Sequence, residues 1–198
     1  MTKKTIVFDF DGVLADAKDE FLNALNFSLE RLNLPQITLE EFNNKSKWGL
    51  LNERNYSKLK LFMLVRHAKK YMKRNTHHIK CFEEVLKTIS ELEENCIIVS
   101  SNSVNNIKKI LGSRTQFFSK IYGNQGIMGK VKTLKKLNNN SIYFTDEVRD
   151  IIQCQKVGMT VIAVTWGFDP QHELEKFKPY KIISQPDEIK TIITNLES

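Results

Sequence analysis

Residues 5–12 read Thr-Ile-Val-Phe-Asp-Phe-Asp-Gly, an apolar run that ends in two acids and a glycine. A continuous hydrophobic run is typical of a buried strand in a parallel sheet. Because side chains two residues apart in a strand point to the same side, Asp9 and Asp11 would project toward one place where the strand ends. Burying two carboxylates together is costly unless a cation or a phosphate chemistry requires them. The stretch therefore predicts a functional site at the end of the first strand.

Strand-like and helix-like patterns alternate along most of the remaining chain. Short apolar runs predict four further strands, at 96–99, 142–144, 161–164 and 181–183. Apolar residues at helical spacing predict helices at 82–94, 103–111, 130–137 and 147–157. This alternation predicts an α/β fold with a doubly wound, Rossmann-like parallel sheet. In such sheets, ligands bind beyond the carboxyl ends of the strands.

Residues 15–80 interrupt the alternation, because they contain no convincing strand. A helix is predicted from an N-cap at Asp16 to about Asn33, and a second helix near 56–73. We therefore expect an α/β core domain formed by residues 1–14 and 81–198, with residues 15–80 inserted after the first strand as a small helical unit.

The net charge of +7 is concentrated in this insertion. Residues 41–80 contain eleven Lys or Arg and two acids, an excess of nine positive charges. One interpretation is a basic surface that attracts anionic substrates, and another is a solvated helix face. A nucleic-acid partner is not expected, because no DNA- or RNA-binding motif accompanies the charge. The sequence does not indicate an oligomeric state.

Several features bear on the cellular compartment. No stretch approaches the ~18 consecutive apolar residues that a membrane-spanning helix needs, so no membrane association is expected. Met1 is followed within a few residues by a core strand, which leaves no room for a signal peptide. Cys81, Cys96 and Cys154 form no zinc or redox motif, and we interpret them as reduced thiols. These features predict a cytoplasmic protein.

Four sequence elements occur in a characteristic order. They are Asp9-Phe-Asp11-Gly, Ser100-Ser101-Asn102 after a strand, Lys130 at the start of a helix, and Asp146-x-x-x-Asp150 after another strand. This set resembles the haloacid dehalogenase superfamily, specifically its phosphoglycolate phosphatase-like branch with a helical cap. The resemblance covers nearly the whole chain. Two positions depart from the family pattern, with Thr145 where Gly is usual and Val131 where many members have Pro.

The resemblance implies a role for each acid of the first strand. Asp9 would attack phosphorus and carry an aspartyl-phosphate, which divides one difficult displacement into two easier ones. Asp11 would protonate the leaving oxygen and then deprotonate the water that hydrolyses the intermediate. A dehalogenase is disfavoured, because a halide is a good leaving group and would not need the second acid.

The resemblance also implies a phosphate site and a metal site. Ser100, Ser101, Asn102 and Lys130 would bind the substrate phosphate, since hydroxyl and backbone N–H groups at a helix N-terminus bind anions. Mg²⁺ prefers oxygen ligands in an octahedral arrangement. Its implied ligands are Asp9, Asp11 through its backbone carbonyl, Asp146 and Asp150. Glu147 would lie just outside this set.

The function that the resemblance implies is a Mg²⁺-dependent phosphomonoesterase acting on a small phosphorylated metabolite, with phosphoglycolate as the nearest named substrate. Residues 15–80 would be the helical cap, in which substrate selection resides. Two alternatives stay open at this point. One is a phosphomutase or phosphotransferase of the same superfamily, and the other is a catalytically silent binding protein that has kept the fold.

Overall fold

The computed structural model describes residues 4–137 and 140–197, which form eight strands and ten α-helices. The strands are β1 (Thr5–Phe8), β2 (Ala15–Asp16), β3 (Lys80–Cys81), β4 (Asn95–Val99), β5 (Lys120–Tyr122), β6 (Ser141–Thr145), β7 (Thr160–Val164) and β8 (Lys181–Ile183). The helices are α1 (Lys18–Glu30), α2 (Leu39–Asn44), α3 (Lys47–Glu53), α4 (Lys58–Arg74), α5 (Glu83–Ser90), α6 (Val104–Leu111), α7 (Ile127–Leu137), α8 (Val148–Lys156), α9 (Gln171–Glu175) and α10 (Glu188–Glu197).

Six of the strands form one parallel sheet in the order β5-β4-β1-β6-β7-β8. The first strand of the chain lies at the centre, between β4 and β6, so the strand order reverses there. Such a reversal is the place where ligands bind in open α/β sheets. The predicted doubly wound α/β fold is confirmed, and the sheet brings the end of β1 to the middle of its carboxyl edge.

The alternation of side chains along each strand builds a hydrophobic layer on both faces of the sheet. On one face, Phe8 stacks on Phe144 with ring centroids 5.1 Å apart. On the other face, Val7 packs in a separate cluster with Ile97 and Tyr143. Both faces are covered, which explains why β1 is hydrophobic without interruption.

Residues 15–80 form helices α1 to α4, and the ends of this segment pair with each other. Ala15 lies opposite Cys81 and Asp16 opposite Lys80 in a two-stranded antiparallel sheet, β2–β3. The prediction that Asp16 caps the first helix is wrong, since α1 begins at Lys18 and its N-cap position is Ala17, which makes no side-chain capping bond. Pairing with Lys80 explains the difference, because it holds Asp16 in extended backbone.

Several short elements were absent from the sequence prediction. Helices α2 and α3 span six and seven residues, and strand β5 spans three. Elements of this length are too short to display a period, although Thr38 and Ser46 mark the helix starts by accepting bonds from backbone N–H groups. In the part of the chain that the structure describes, we find no helix with the length and hydropathy to cross a membrane.

Candidate active site

Asp9 and Asp11 follow β1 directly and lie at the central carboxyl edge of the sheet. The Asp9 side chain is buried, and its Oδ1 accepts a 2.8 Å hydrogen bond from the backbone N–H of Phe10. Asp11 lies in the turn that follows and is half-buried. Gly12 takes a positive φ of 85° in this turn, a conformation that favours glycine. Asp9 and Asp11 therefore both lie at the carboxyl end of β1, where the sequence predicted them.

Lys130 reaches this cluster from the first turn of α7, a helix that begins three residues earlier than predicted. Its ammonium lies 2.9 Å from Asp9 Oδ2 and also pairs with Asp150 Oδ2. Burial alone would lower the pKa of Lys130, but the charges of Asp150 and Asp9 outweigh it and raise the pKa. Lys130 is therefore a permanent buried cation. The other lysines of the helix, Lys132, Lys135 and Lys136, are exposed.

Asp150 is held where it can orient this lysine. Its Oδ2 lies 3.1 Å from the Tyr143 hydroxyl and 3.3 Å from Thr145 Oγ1, besides its contact with Lys130. All of these groups are buried. Tyr143 was not singled out from the sequence, because a tyrosine within an apolar strand looks like ordinary core. Its hydroxyl nevertheless provides a buried polar partner for Asp150.

Asp11 is bound by an asparagine from the next strand end. The side-chain amide of Asn102 donates to both carboxylate oxygens of Asp11, at 3.1 and 3.2 Å. Burial raises the pKa of Asp11, while the charge of Lys47 and the bonds from Asn102 partly oppose this rise. A carboxyl group with a raised pKa is suited to carry a proton near neutral pH.

The segment that follows β4 presents Ser100, Ser101 and Asn102. Ser100 is almost fully buried, and its Oγ accepts a 3.0 Å bond from the backbone N–H of Asn102, which leaves its own hydroxyl hydrogen to donate elsewhere. The Ser101 side chain is exposed. Ser100 and Lys130 are therefore buried, the Asn102 amide donates to Asp11, and the Ser101 side chain points to solvent-exposed surface.

Asp146 is fixed between two glycines at the end of β6. A Cβ atom on Gly12 would lie 2.0 Å from Asp146 Oδ2, and one on Gly167 would lie 2.3 Å from Asp146 Cβ. The Oδ2 atom accepts a 2.8 Å bond from the Phe168 backbone, whereas the buried Oδ1 has no hydrogen-bond partner among the described residues. Burial and the charges of Glu147 and Asp9 raise the pKa of Asp146.

The arrangement of acids has the chemistry of a cation site without a complete set of ligands. In residues 4–137 and 140–197, no group of three His, Cys, Asp or Glu side chains is arranged to hold a metal ion, and the ligand predicted from Asp11 is a backbone carbonyl rather than a side chain. Burial raises the pKa of Asp9 to about 7, despite the lowering effect of Lys130. A nearby cation would stabilise the ionised acids, and the orphaned Asp146 Oδ1 offers it a hard oxygen ligand. The residues therefore fit Mg²⁺.

A second cluster, which the sequence did not reveal, joins the helical segment to the sheet. Lys47 at the start of α3 donates through Nζ to Glu147 Oε1 at 2.6 Å, and its backbone N–H donates to Asp169 Oδ1 at 2.7 Å. The Lys47 ammonium also lies 4.2 Å from the ring centroid of Phe21 and 4.1 Å from that of Phe168. A lysine in a basic window gives no sequence signal that distinguishes it from its exposed neighbours.

Glu147 balances the charges of this cluster. Burial alone would raise its pKa, but the charges of Lys47, Arg149 and Lys130 lower it to about 2. Glu147 also accepts a 3.0 Å bond from Arg149. Asp169 is buried, and burial together with Glu147 raises its pKa to about 6, although it accepts bonds from the backbones of Lys47 and Val148. The predicted place of Glu147 just outside the central acids agrees with these contacts.

Comparisons with known proteins identify the family and the fold. The family model described as haloacid dehalogenase-like hydrolase matches residues 6–164. A protein named phosphoglycolate phosphatase from Synechococcus elongatus is 24% identical, and the alignment covers 98% of each chain.

Two solved structures share the fold over nearly their full length. One, described as a predicted phosphatase from Clostridium acetobutylicum, has a TM-score of 0.81 at 20% identity and covers 98% of this chain and 100% of its own. The other, a hydrolase of the haloacid dehalogenase-like family from Streptococcus pneumoniae, has a TM-score of 0.77 at 20% identity, with coverage of 96% and 98%. At 20% identity, the two structures show the fold and nothing beyond it.

Proposed function

The chain belongs to the haloacid dehalogenase-like hydrolase family, and we propose that it is a phosphatase that acts on a small phosphorylated metabolite through an aspartyl-phosphate on Asp9. The observation that carries this proposal is the buried contact of 2.9 Å between Lys130 and Asp9. A carboxylate that attacks a phosphate must approach other negative charges. The fixed ammonium of Lys130 lowers the cost of that approach and holds the attacking oxygen in place.

Asp11 is proposed as the general acid and base. Its pKa is raised by burial, so it can give a proton to the leaving alkoxide, and it can then take one from the water that attacks the aspartyl-phosphate. Both oxygens accept bonds from Asn102, which would fix the direction in which the carboxyl group points. We propose that Asn102 acts through Asp11, whereas the hydroxyl of Ser100 and the backbone N–H of Ser101 bind phosphate oxygens.

We propose that Mg²⁺ is the cofactor, with Asp9, Asp146 and the backbone carbonyl of Asp11 as its protein ligands. The bound ion would supply positive charge next to the transferring phosphoryl group. The support comes from Asp146 Oδ1, which is buried and unpartnered among the described residues. For Asp150 we propose two roles. Its Oδ2 contacts Lys130, Tyr143 and Thr145 and would orient Lys130, whereas its buried Oδ1 has no hydrogen-bond partner among the described residues and would serve the ion.

Residues 15–80 are proposed to act as a helical cap over a core of residues 1–14 and 81–198. The contacts of Lys47 with Glu147 and Asp169 support this role, since they bring α3 against the loops that surround the catalytic acids. A cap that closes over the site would exclude water and select the substrate. Phosphoglycolate is the first substrate to test, because a relative of similar length carries that name.

The test measures phosphate release from phosphoglycolate and from a panel of sugar and nucleotide phosphates, with and without Mg²⁺. We expect Mg²⁺-dependent release that Asp9→Asn abolishes while the fold is retained. Asp187→Asn, which makes the same change at an exposed position, is the matched control and should remain active. If no compound in the panel is hydrolysed faster by the wild type than by Asp9→Asn, the proposal fails.

A further inference from the structure

A cavity lies outside the candidate active site, between α1 and α4. It has a volume of about 290 Å³, and its lining includes Phe27, Arg31, His67, Lys70, Tyr71 and Arg74. None of the catalytic acids, nor Ser100 or Lys130, belongs to this lining. The cavity therefore has its own set of side chains, contributed by the helical segment alone.

The cations around this cavity are not neutralised by the protein. Among the residues that the structure describes, Arg31, Lys70 and Arg74 form no ion pair with a carboxylate, and no lining residue is acidic. Other cations of the chain are paired, for example Arg54 with Glu41. Three unpaired positive charges around one concave surface create a local potential that attracts a multiply charged anion.

The rest of the lining would strengthen this attraction. The rings of Phe27 and Tyr71 lie 5.1 Å apart, and the Arg31 guanidinium lies 5.4 Å from the centroid of Phe27. These rings provide a wall of low dielectric, next to which charge–charge interactions are less screened. His67 Nδ1 is buried and has no hydrogen-bond partner among the described residues, so a ligand oxygen could satisfy it.

The helical spacing explains how one face of α4 supplies most of the site. Four residues of α4 that line the cavity are spaced three or four positions apart or adjacent, which brings them to a single face of the helix: 67, 70, 71 and 74. Lys69 and Lys73 are exposed like Lys70 and Arg74, and they lie on the same helix with the same four-residue interval, but they do not line the cavity. Only part of the basic segment 41–80 is therefore organised around this space.

We propose that this cavity binds a small phosphate-bearing anion with at least two phosphate groups. Guanidinium and ammonium groups form strong charge-assisted hydrogen bonds with phosphate oxygens. The volume is near the lower end of small-ligand pockets, which start at ~300 Å³, so a compact diphosphate fits better than a large cofactor. This binding site is independent of the proposed catalysis.

The test uses methylenediphosphonate, a diphosphate analogue that cannot be hydrolysed, titrated into the full chain in magnesium-free buffer. We expect saturable binding by calorimetry and NMR shifts of backbone amides in 27–31 and 67–75. The variant Lys70→Gln/Arg74→Gln should bind about tenfold more weakly, the equivalent of ~1.4 kcal/mol. The matched variant Lys69→Gln/Lys73→Gln removes the same charge and should stay within about threefold of wild type.

Three results would overturn the proposal. The first is that methylenediphosphonate does not bind at concentrations up to about 5 mM. The second is that both double variants weaken its binding equally. The third is that the NMR shifts are confined to the residues around Asp9, Ser100 and Lys130. Equal weakening would mean that only the overall field of the basic segment matters. Thermal unfolding of each variant checks that it is folded, and Arg31→Gln offers a second test from α1, independent of changes in α4.

Discussion

Replacing Lys130 by methionine would test the buried charge cluster most directly. Methionine keeps much of the length and volume of lysine, so the change removes the ammonium without opening a large cavity. Asp9 and Asp150 would then face each other with no cation between them. Their side chains are 7% and 0% exposed, and that of Lys130 is 3% exposed, so water can replace little of the lost interaction.

The expected cost follows from this burial. Removing one partner of a buried ion pair typically costs ~3–5 kcal/mol. Asp150 would keep Arg149, whose Nε lies 3.9 Å from its Oδ1, whereas Asp9 would lose its ion-pair partner, so we expect a cost of about 3 kcal/mol. Such a loss is a large part of the ~5–15 kcal/mol by which domains are stable. Phosphate release should be lost as well, since Lys130 contacts the proposed nucleophile.

The assay is urea unfolding at neutral pH in the presence of EDTA, so that a bound metal ion cannot compensate for the missing charge. Lys132→Met, an exposed position two residues along α7, is the control and should change the free energy of unfolding by no more than ~0.5 kcal/mol. If Lys130→Met costs under ~1 kcal/mol, or hydrolyses substrate at the wild-type rate, then Lys130 is not the buried partner of these acids.

Three further predictions probe the surroundings of the site. Tyr143→Phe removes the hydroxyl that contacts Asp150, and it should lower the free energy of unfolding by ~1–3 kcal/mol and reduce kcat. Tyr180→Phe, at an exposed position, should change neither quantity. Equal effects of the two substitutions in urea unfolding would refute the contact. Gly167→Ala would force a Cβ against Asp146, and it should lower the free energy of unfolding by ~1–3 kcal/mol and raise the Mg²⁺ concentration needed for activity. Gly126→Ala, which has open space around the added Cβ, is the control. If Gly167→Ala requires the same Mg²⁺ concentration as the wild type, the packing against Asp146 is contradicted. Burial raises the pKa of all three cysteine thiols, so a thiol reagent at pH 8 should label them slowly in the native protein and rapidly in guanidinium; fast native labelling would show that they are not buried.

The sequence predicted the sheet and its catalytic edge because both depend on local patterns. The apolar run Ile6-Val7-Phe8 indicates a buried strand by itself, and acids that follow such a strand must emerge at its end. The order of four motifs along the chain then indicated which strand ends meet. Short apolar runs and fixed spacings carry this information without any knowledge of tertiary contacts.

The contacts that join distant segments could not be predicted in the same way. Lys47 lies among many lysines, and only the three-dimensional structure brings it to Glu147, one hundred residues away. The role of Tyr143 depends on the contact of its hydroxyl with Asp150, and the pattern of residues in a strand does not indicate such a contact. The pairing of Asp16 with Lys80 likewise overrode a local capping preference, because a partner across the insertion competed for the same backbone.

The small β2–β3 ribbon has a consequence for how this chain can change. Both ends of the segment 17–79 leave the core side by side, at the pairs formed by Ala15 with Cys81 and Asp16 with Lys80. The free energy of closing a loop grows only slowly with its length, by about 0.6 kcal/mol for each doubling. The junction itself therefore tolerates segments of very different size, whereas the contacts of Lys47 with Glu147 and Asp169 limit which segments can pack against the sheet. The length of the helical segment can then change without a large entropic cost at the point where it leaves the sheet.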